Sequence, residues 1–269
     1  MDFDGKSCVI TGGATGIGLA LAKRLGAAGA RLILCEPRAG MLDAAVAELA
    51  ALAVDARAFV GDVTDAASVE GLADFAWDVH GRVDAIIANA GVGGPRTKVI
   101  DSDPDAARAL FEVNFWGVWN CIRSFGRRFK ADGLPAAIYA TASENALFNA
   151  VRTNGGAYVA SKHAVLGLMD MLRNEVPASI EVGVIIPGWV KSDMTRHAEA
   201  AMDADVFAAR IVPQMEAGQF YLVSHPYNVV RMEERWAEAY AAFATYAPRE
   251  AGDEAMDVAL FVERMRASR

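Results

Sequence analysis

At 269 residues, 54% of them hydrophobic, the chain is long enough to bury one large core and too short for two ordinary enzyme domains with linkers, so residues 1–269 are expected to form a single domain. A net charge of -8 at pH 7 argues against the clustered basic surface that binding a nucleic acid requires. The acidic start Met1-Asp2-Phe3-Asp4, the lack of a bilayer-length apolar run, and three cysteines (Cys8, Cys35, Cys121) without metal spacing predict a cytoplasmic protein with buried reduced thiols, no metal and no membrane partner.

In chain order, short apolar runs alternate with longer helical patterns. Strands are expected at 7–11, 31–36, 57–61, 85–89, 136–141, 181–187 and 219–223, and helices at 16–28, 40–52, 66–80, 104–130, 155–175 and 202–217. Runs apolar on both faces, such as Leu32-Ile33-Leu34 and Val184-Ile185-Ile186, predict an α/β fold: a doubly wound parallel sheet of about seven strands with helices on both faces. The tail 226–269 is helical in pattern, and its charges (Glu233, Glu234, Arg235, Glu238, Glu263, Arg264, Arg266) read as solvated helix surface.

The first strand runs into Thr11-Gly12-Gly13-Ala14-Thr15-Gly16-Ile17-Gly18, which opens a helix. Glycines there let the backbone turn sharply and approach a pyrophosphate, whose charge is met by free amides at the helix N-terminus; Gly12, Thr15, Gly16, Ile17 and Gly18 are the candidate contacts. Glu36 ends the second strand, where a carboxylate can hold ribose hydroxyls and repel a 2′-phosphate, favouring NAD over NADP. Arg38 nearby can meet a phosphate instead, or equally pair with Glu36 or point into water. Asp62 and Val63 follow the third strand, where Asp62 can accept from an adenine amino group or serve a helix N-terminus. Asn89 and Gly91 end the fourth, with Asn89 equally able to bridge strands.

Further along, Tyr158 and Lys162 stand one helical turn apart and can share a site. Making a phenol a proton acceptor at neutral pH takes roughly 4 kcal/mol, about what one cation ~4 Å away supplies at an effective dielectric near ~20. A tyrosine base beside a nucleotide cradle points to hydride transfer. His163 projects about 100° away around the helix and reads as structural.

These elements, Thr11-Gly12 with Gly16-Ile17-Gly18, then Asp62, Asn89-Ala90-Gly91, Asn114, Ser143, Tyr158 with Lys162, and Pro187-Gly188, resemble the short-chain dehydrogenase/reductase family in its compact single-domain, Rossmann-like form over residues 5 to about 195. The resemblance implies Tyr158 as general acid/base and Lys162 as the group that lowers its pKa and bonds the nicotinamide ribose. Ser143 then holds the reacting oxygen, with Thr141 a weaker substitute, and Asn114 fixes a water linking Lys162 to solvent, against the alternative of an amide bonded to its own helix. In Pro187-Gly188-Trp189-Val190-Lys191-Ser192, Pro187, Val190 and Ser192 match positions that bind the nicotinamide, with serine where the family more often has threonine.

The loop 144–154, with Asn145 and Phe148, together with Trp189 and Met194, is expected to wall the substrate pocket. The segment 194–218, carrying His197, Met202, Phe207, Ile211 and Met215, is expected to cover it as a flap, with ordinary core as the competing reading of its apolar residues. The expected activity is an NAD(P)-dependent alcohol dehydrogenase or ketone reductase acting on a small hydrophobic secondary alcohol or its ketone. A non-catalytic nucleotide sensor or scaffold is the alternative, and an NAD-dependent epimerase or dehydratase a distant third. The resemblance also implies a homodimer or homotetramer through the helices of Asn114 and Tyr158, with Phe115, Trp116, Trp119, Met169 and Leu172 as apolar area unless they face the sheet.

Overall fold

The computed structural model describes residues 1–150, 154–195 and 198–267. They fall into two compact units, Met1–Pro226 and Tyr227–Arg269. In the first, strands β1 (Ser7–Thr11), β2 (Arg31–Glu36), β3 (Ala56–Val60), β4 (Ala85–Ala88), β5 (Ala136–Thr141), β6 (Ile180–Ile186) and β7 (Tyr221–Val223) form one sheet in the order β3-β2-β1-β4-β5-β6-β7. Every pairing is parallel. The winding reverses between β1 and β4, which opens a crevice at the carboxyl ends of these strands, where such sheets take ligands.

Strand residues alternate between two cores, as a period of two demands. Ile10, Leu34 and Ile185 pack with helices α1 (Gly16–Ala27), α2 (Ala39–Ala51) and α7 (Ala204–Glu216) on one face. Val9, Ile33, Ile86, Ile138 and Val184 pack with α3 (Ala66–His80), α5 (Gly117–Asp132) and α6 (Gly156–Glu175) on the other. Each fully buried Leu, Ile or Val contributes about 1.5–3 kcal/mol, so the alternation fixes which side each helix covers. Cys8, Cys35 and Cys121 are buried and unpaired among the described residues, and burial pushes the Cys35 thiol up to about 12. Among the described residues no helix is long and apolar enough to cross a membrane.

The helix expected at 104–130 is interrupted. It runs as α4 (Pro104–Phe111), a π-helical turn at Glu112–Trp116 and then α5. The cause lies in packing on both sides: Gly117 sits so close to β3's exit that a Cβ there would lie 2.6 Å from Val63 Cγ2, while the wider turn swings Asn114 toward Val92. The last strand is shorter than expected, because Gly218, at φ 64°, still closes the turn after α7.

The second unit contains α8 (Asn228–Tyr246) and α9 (Val258–Ala267), neither with a buried residue. Ion pairs Arg231–Glu234 and Arg249–Asp253, at 2.8 and 2.7 Å, decorate it, consistent with a solvated charged surface. Trp236 and Tyr240 stack on its exposed face with ring centroids 6.2 Å apart.

Candidate active site

The glycine turn joins β1 to α1. Gly12 and Gly16 adopt φ of 62° and 53°, a region closed to most side chains. A Cβ on Gly18 would stand 2.1 Å from the Gly12 carbonyl oxygen, and one on Gly16 2.9 Å from Ser192 Cβ. The turn is therefore a bare backbone surface that a diphosphate can approach, and it leads straight into the N-terminus of α1, where Thr15 occupies the cap position without a side-chain bond to the helix. Ile17 follows within the first turn and packs partly buried against the α1 side of the core.

At the end of β2, Glu36 is 4% exposed, and its Oε1 accepts from Arg38 Nε at 2.6 Å. Arg38 also reaches Asp193 at 3.7 Å, so its charge lies between two carboxylates. Of the three readings of Arg38, the pairing with Glu36 is the one the geometry displays. Asp62 accepts from the Thr64 N–H and hydroxyl, both at 2.9 Å. The cap of α3 is instead Asp65, which accepts from Ala67 N. Asn89 is fully engaged in tying strands: its Nδ2 donates to the Thr11 and Gly12 carbonyls at 3.1 and 3.2 Å, and its Oδ1 accepts from Thr141 at 3.0 Å. Its side chain braces β1, β4 and β5 under the crevice, the strand-bridging alternative.

Across the crevice, β5 ends at Thr141 and delivers Ser143, while α6 presents Tyr158 and Lys162. Lys162 is 3% exposed, and its Nζ donates to the Thr141 carbonyl at 2.9 Å and stands 5.8 Å from the Tyr158 ring centroid. Burial pushes the ammonium down to about 8. The Tyr158 phenol is pushed above its ordinary value, by burial first and by the Glu144 carboxylate, while a hydrogen bond with Ser143 pulls it down. Lys162 is turned to a carbonyl and is itself held at a cost in a dry setting.

Ser143 Oγ accepts from Asn145 N at 3.2 Å and lies 3.4 Å from Asn145 Nδ2, and Asn145 Oδ1 in turn accepts from Ala150 N at 3.1 Å. Asn145 thus orients Ser143. Asn145 and Phe148 are both buried, at 5% and 6% exposure. Trp189 and Met194 remain about half exposed, with Met194 packed near Gly93. Asn114, fully buried in the π turn, accepts from Val92 N at 2.7 Å and donates to Val92 O and Ser161 Oγ at 2.9 and 3.2 Å. It bonds across the crevice and not to its own helix. A Cβ on Gly91 would sit 3.3 Å from Asn114 Oδ1 and 3.4 Å from Lys162 Nζ, which places both groups around the same bare backbone.

After β6, the Pro187 carbonyl accepts from Glu144 N at 2.7 Å, which fastens this loop to the one carrying Ser143. Val190 is buried and bridges Met202, and Ser192 N donates to Thr195 Oγ1 at 2.9 Å. Phe207, Ile211 and Met215 are fully buried in the core with α1, so the α7 part of 194–218 is ordinary core. His197, and Val151, Arg152 and Thr153 of the expected substrate loop, lie outside the described residues. Two residues near this site escaped the sequence analysis as individuals: Glu144, whose charge acts on Tyr158, and His225 beyond β7, which bonds the loop after β6. Only the position of His225 at a strand's carboxyl end was available as a signal.

A crevice at the sheet's reversal point, a bare glycine turn leading into a helix N-terminus, and a Ser–Tyr–Lys cluster thus lie together at the carboxyl ends of the strands. The family model for short chain dehydrogenases matches residues 6–203, and the chain belongs to the short-chain dehydrogenase/reductase family. It is 34% identical over 254 residues to 1-deoxy-11-beta-hydroxypentalenate dehydrogenase of Streptomyces avermitilis, covering 91% of this chain and 93% of that one. It is likewise 34% identical over 194 residues to galactitol 2-dehydrogenase (L-tagatose-forming) of Cereibacter sphaeroides, covering 72% and 74%. A short-chain dehydrogenase/reductase from Burkholderia phymatum in complex with NAD superposes with a TM-score of 0.85 at 25% identity, over 93% of this chain and 98% of that one.

Proposed function

We propose that the protein is an NAD-dependent dehydrogenase that interconverts a hydrophobic secondary alcohol and its ketone, with Tyr158 passing the proton. The observation that carries the reading is the meeting of Tyr158, Ser143 and Lys162 opposite the glycine turn. The oxidation of hydroxyl-bearing carbon named for both curated relatives supports the reaction class.

A bound nicotinamide supplies the hydride-exchanging carbon and, when oxidised, a positive charge. The chain's residues fit such a group: the glycine turn with Thr15 and Ile17 receives the diphosphate, and buried Glu36, with Arg38 already neutralised between Glu36 and Asp193, favours ribose hydroxyls over a 2′-phosphate. Asp62 and Val63 flank the adenine side, and Gly91, Pro187, Val190 and Ser192 the nicotinamide side. Ser143 Oγ holds the substrate oxygen within reach of Tyr158 Oη, converting a chance encounter into a fixed geometry. Because burial pushes the phenol above an ordinary value that already leaves it protonated at neutral pH, Tyr158 is poised as proton donor for reduction, and it accepts the alcohol proton when added positive charge offsets that burial. Lys162 contributes such charge, and Asn114 holds the Val92 backbone beside it.

Trp189 and Met194, exposed beside the crevice, suit an apolar substrate. Trp116 and Trp119, each more than 40% exposed, with ring centroids 5.8 Å apart, suit a homodimer contact, whereas Met169 is core. Light scattering reads that contact: loss of oligomer in Trp116→Ser with Trp119→Ser supports it, and a monomeric wild type removes it.

Tyr158→Phe tests the function. Turnover of secondary alcohols with NAD should fall by about 10²–10⁴-fold while NAD binding by calorimetry stays within about twofold. Turnover equal to wild type would remove the proposed proton carrier.

A further inference from the structure

We infer that His225 is a positioning residue for the nicotinamide side of the site, clamping the loop after β6 in its neutral form and releasing it when protonated. The inference rests on the proposed role of Pro187, Val190 and Ser192 in holding the nicotinamide.

His225 follows β7 and is partly buried. Its Nδ1 faces the Gly188 N–H at 3.3 Å and the Ser224 hydroxyl at 2.8 Å, and its Nε2 faces the Trp189 carbonyl at 3.3 Å. The chemistry of these partners sets the tautomer. A backbone N–H can only donate, so Nδ1 is the acceptor, and a carbonyl can only accept, so Nε2 carries the hydrogen. One imidazole thus grips backbone groups of two consecutive residues in the loop that continues into Val190 and Ser192. Gly188 has no room for a side chain between its neighbours: a Cβ would lie 2.6 Å from His225 Cγ and 2.7 Å from Glu144 Oε2. The same loop is fastened on its other side through the Pro187 carbonyl and Glu144 N.

Protonation puts a hydrogen on Nδ1. It can be given to Ser224 Oγ, but it then opposes the Gly188 N–H, and that half of the clamp is lost. The surrounding charges are Arg210, whose guanidinium donates to the Ser224 carbonyl at 2.7 Å and disfavours a second cation, and the Glu144 carboxylate against Gly188. Burial lowers the His225 pKa below its ordinary 6.5, the Trp189 bond opposes this, and Arg210 adds to the lowering. The sign follows: both folded and unfolded imidazole are neutral above about 6.5, and the clamp is lost as pH falls from there through the lowered folded value.

The test compares wild type, His225→Ala and His225→Asn by NAD calorimetry and steady-state kinetics at pH 8.0 and through the range below about 6.5. His225→Asn keeps an acceptor near the Nδ1 position and cannot titrate. The expected result at pH 8.0 is a Kd and KM for NAD raised about tenfold or more in His225→Ala, which loses the bonds to both Gly188 and Trp189, with kcat within about twofold and partial rescue in His225→Asn. Wild type should lose NAD affinity on acidification, and both variants should show a flat profile. Variants that bind NAD like wild type, or that keep its acid-dependent loss, overturn the clamp. Failure of wild type to bind NAD at all sinks the proposed function instead, so the two failures are distinguishable. Circular dichroism identifies a variant that has not folded, and His225→Asn then carries the comparison.

Discussion

The two rims of the crevice are built by different means. On the rim at β1, β2 and β3, the backbone makes the surface: Gly12, Gly16 and Gly18 leave bare peptide groups, and Glu36 needs one ionic partner. On the rim at β4 to β7, side chains bonded to distant backbone make it: Asn114 to Val92, Lys162 to Thr141 and His225 to Gly188. A backbone-made surface tolerates little change in shape but needs few partners. The side-chain-made rim depends on networks in which each lost partner strands another buried group.

The largest contrast is expected at Lys162. Lys162→Met should lower kcat by about 10²-fold or more, yet leave the unfolding temperature at pH 7 unchanged or higher, because it removes a buried charge. The sign follows from the folded ammonium, held at about 8 against an ordinary 10.5: the folded state binds fewer protons across that window, so wild-type stability rises as pH climbs from about 8 to 10.5. Urea titrations across that range should show the rise in wild type alone. A less stable methionine variant would mean that the lysine holds structure more than chemistry.

On the opposite rim, Gly18→Ala tests the backbone-made surface. A methyl group 2.1 Å from the Gly12 carbonyl must force the turn apart. The expected cost is about 3 kcal/mol, with NAD binding abolished, read by urea midpoint and calorimetry. Normal binding would show that the turn yields easily and does not define the rim.

Asn114→Ala sharpens the comparison from the networked side. It strands the Val92 N–H and carbonyl and should cost about 2 kcal/mol in urea unfolding without a change in m-value. A cost near zero would make the π turn incidental. The smallest effect is expected at β2, where Glu36→Ala should narrow the preference for NAD over NADP by about tenfold and Arg38→Ala should shift it less, since Arg38 is already spoken for by two carboxylates. A larger effect at Arg38 would reverse their roles.

These rims also differ in what could be read before the fold. Gly12 to Gly18 and Glu36 are legible because a tight turn between a strand and a helix needs particular residue types at short spacing, and Tyr158 with Lys162 is legible because one helical turn places both on one face. The strands were equally plain, with β1, β2 and β5 at their expected bounds, since residues apolar on both faces leave few alternatives. The break between α4 and α5 was not legible: nothing in Glu112-Val113-Asn114-Phe115-Trp116 opposes a regular helix until Gly117 meets Val63 and Asn114 meets Val92. Phe207, Ile211 and Met215 show the same limit, because helical apolar spacing is identical for a covering flap and a core helix.

By itself the order of residues determined the parallel sheet, the glycine turn and the tyrosine–lysine pair, because local sterics and periodicity act over a few neighbouring residues. Tertiary structure alone decided that Asn89 braces strands, that burial and Glu144 raise the Tyr158 phenol above its ordinary value, and that His225 reaches the loop after β6. Those outcomes depend on hydrogen bonds and desolvation between groups far apart in the chain. Their energies exist only once the sheet has brought the groups together.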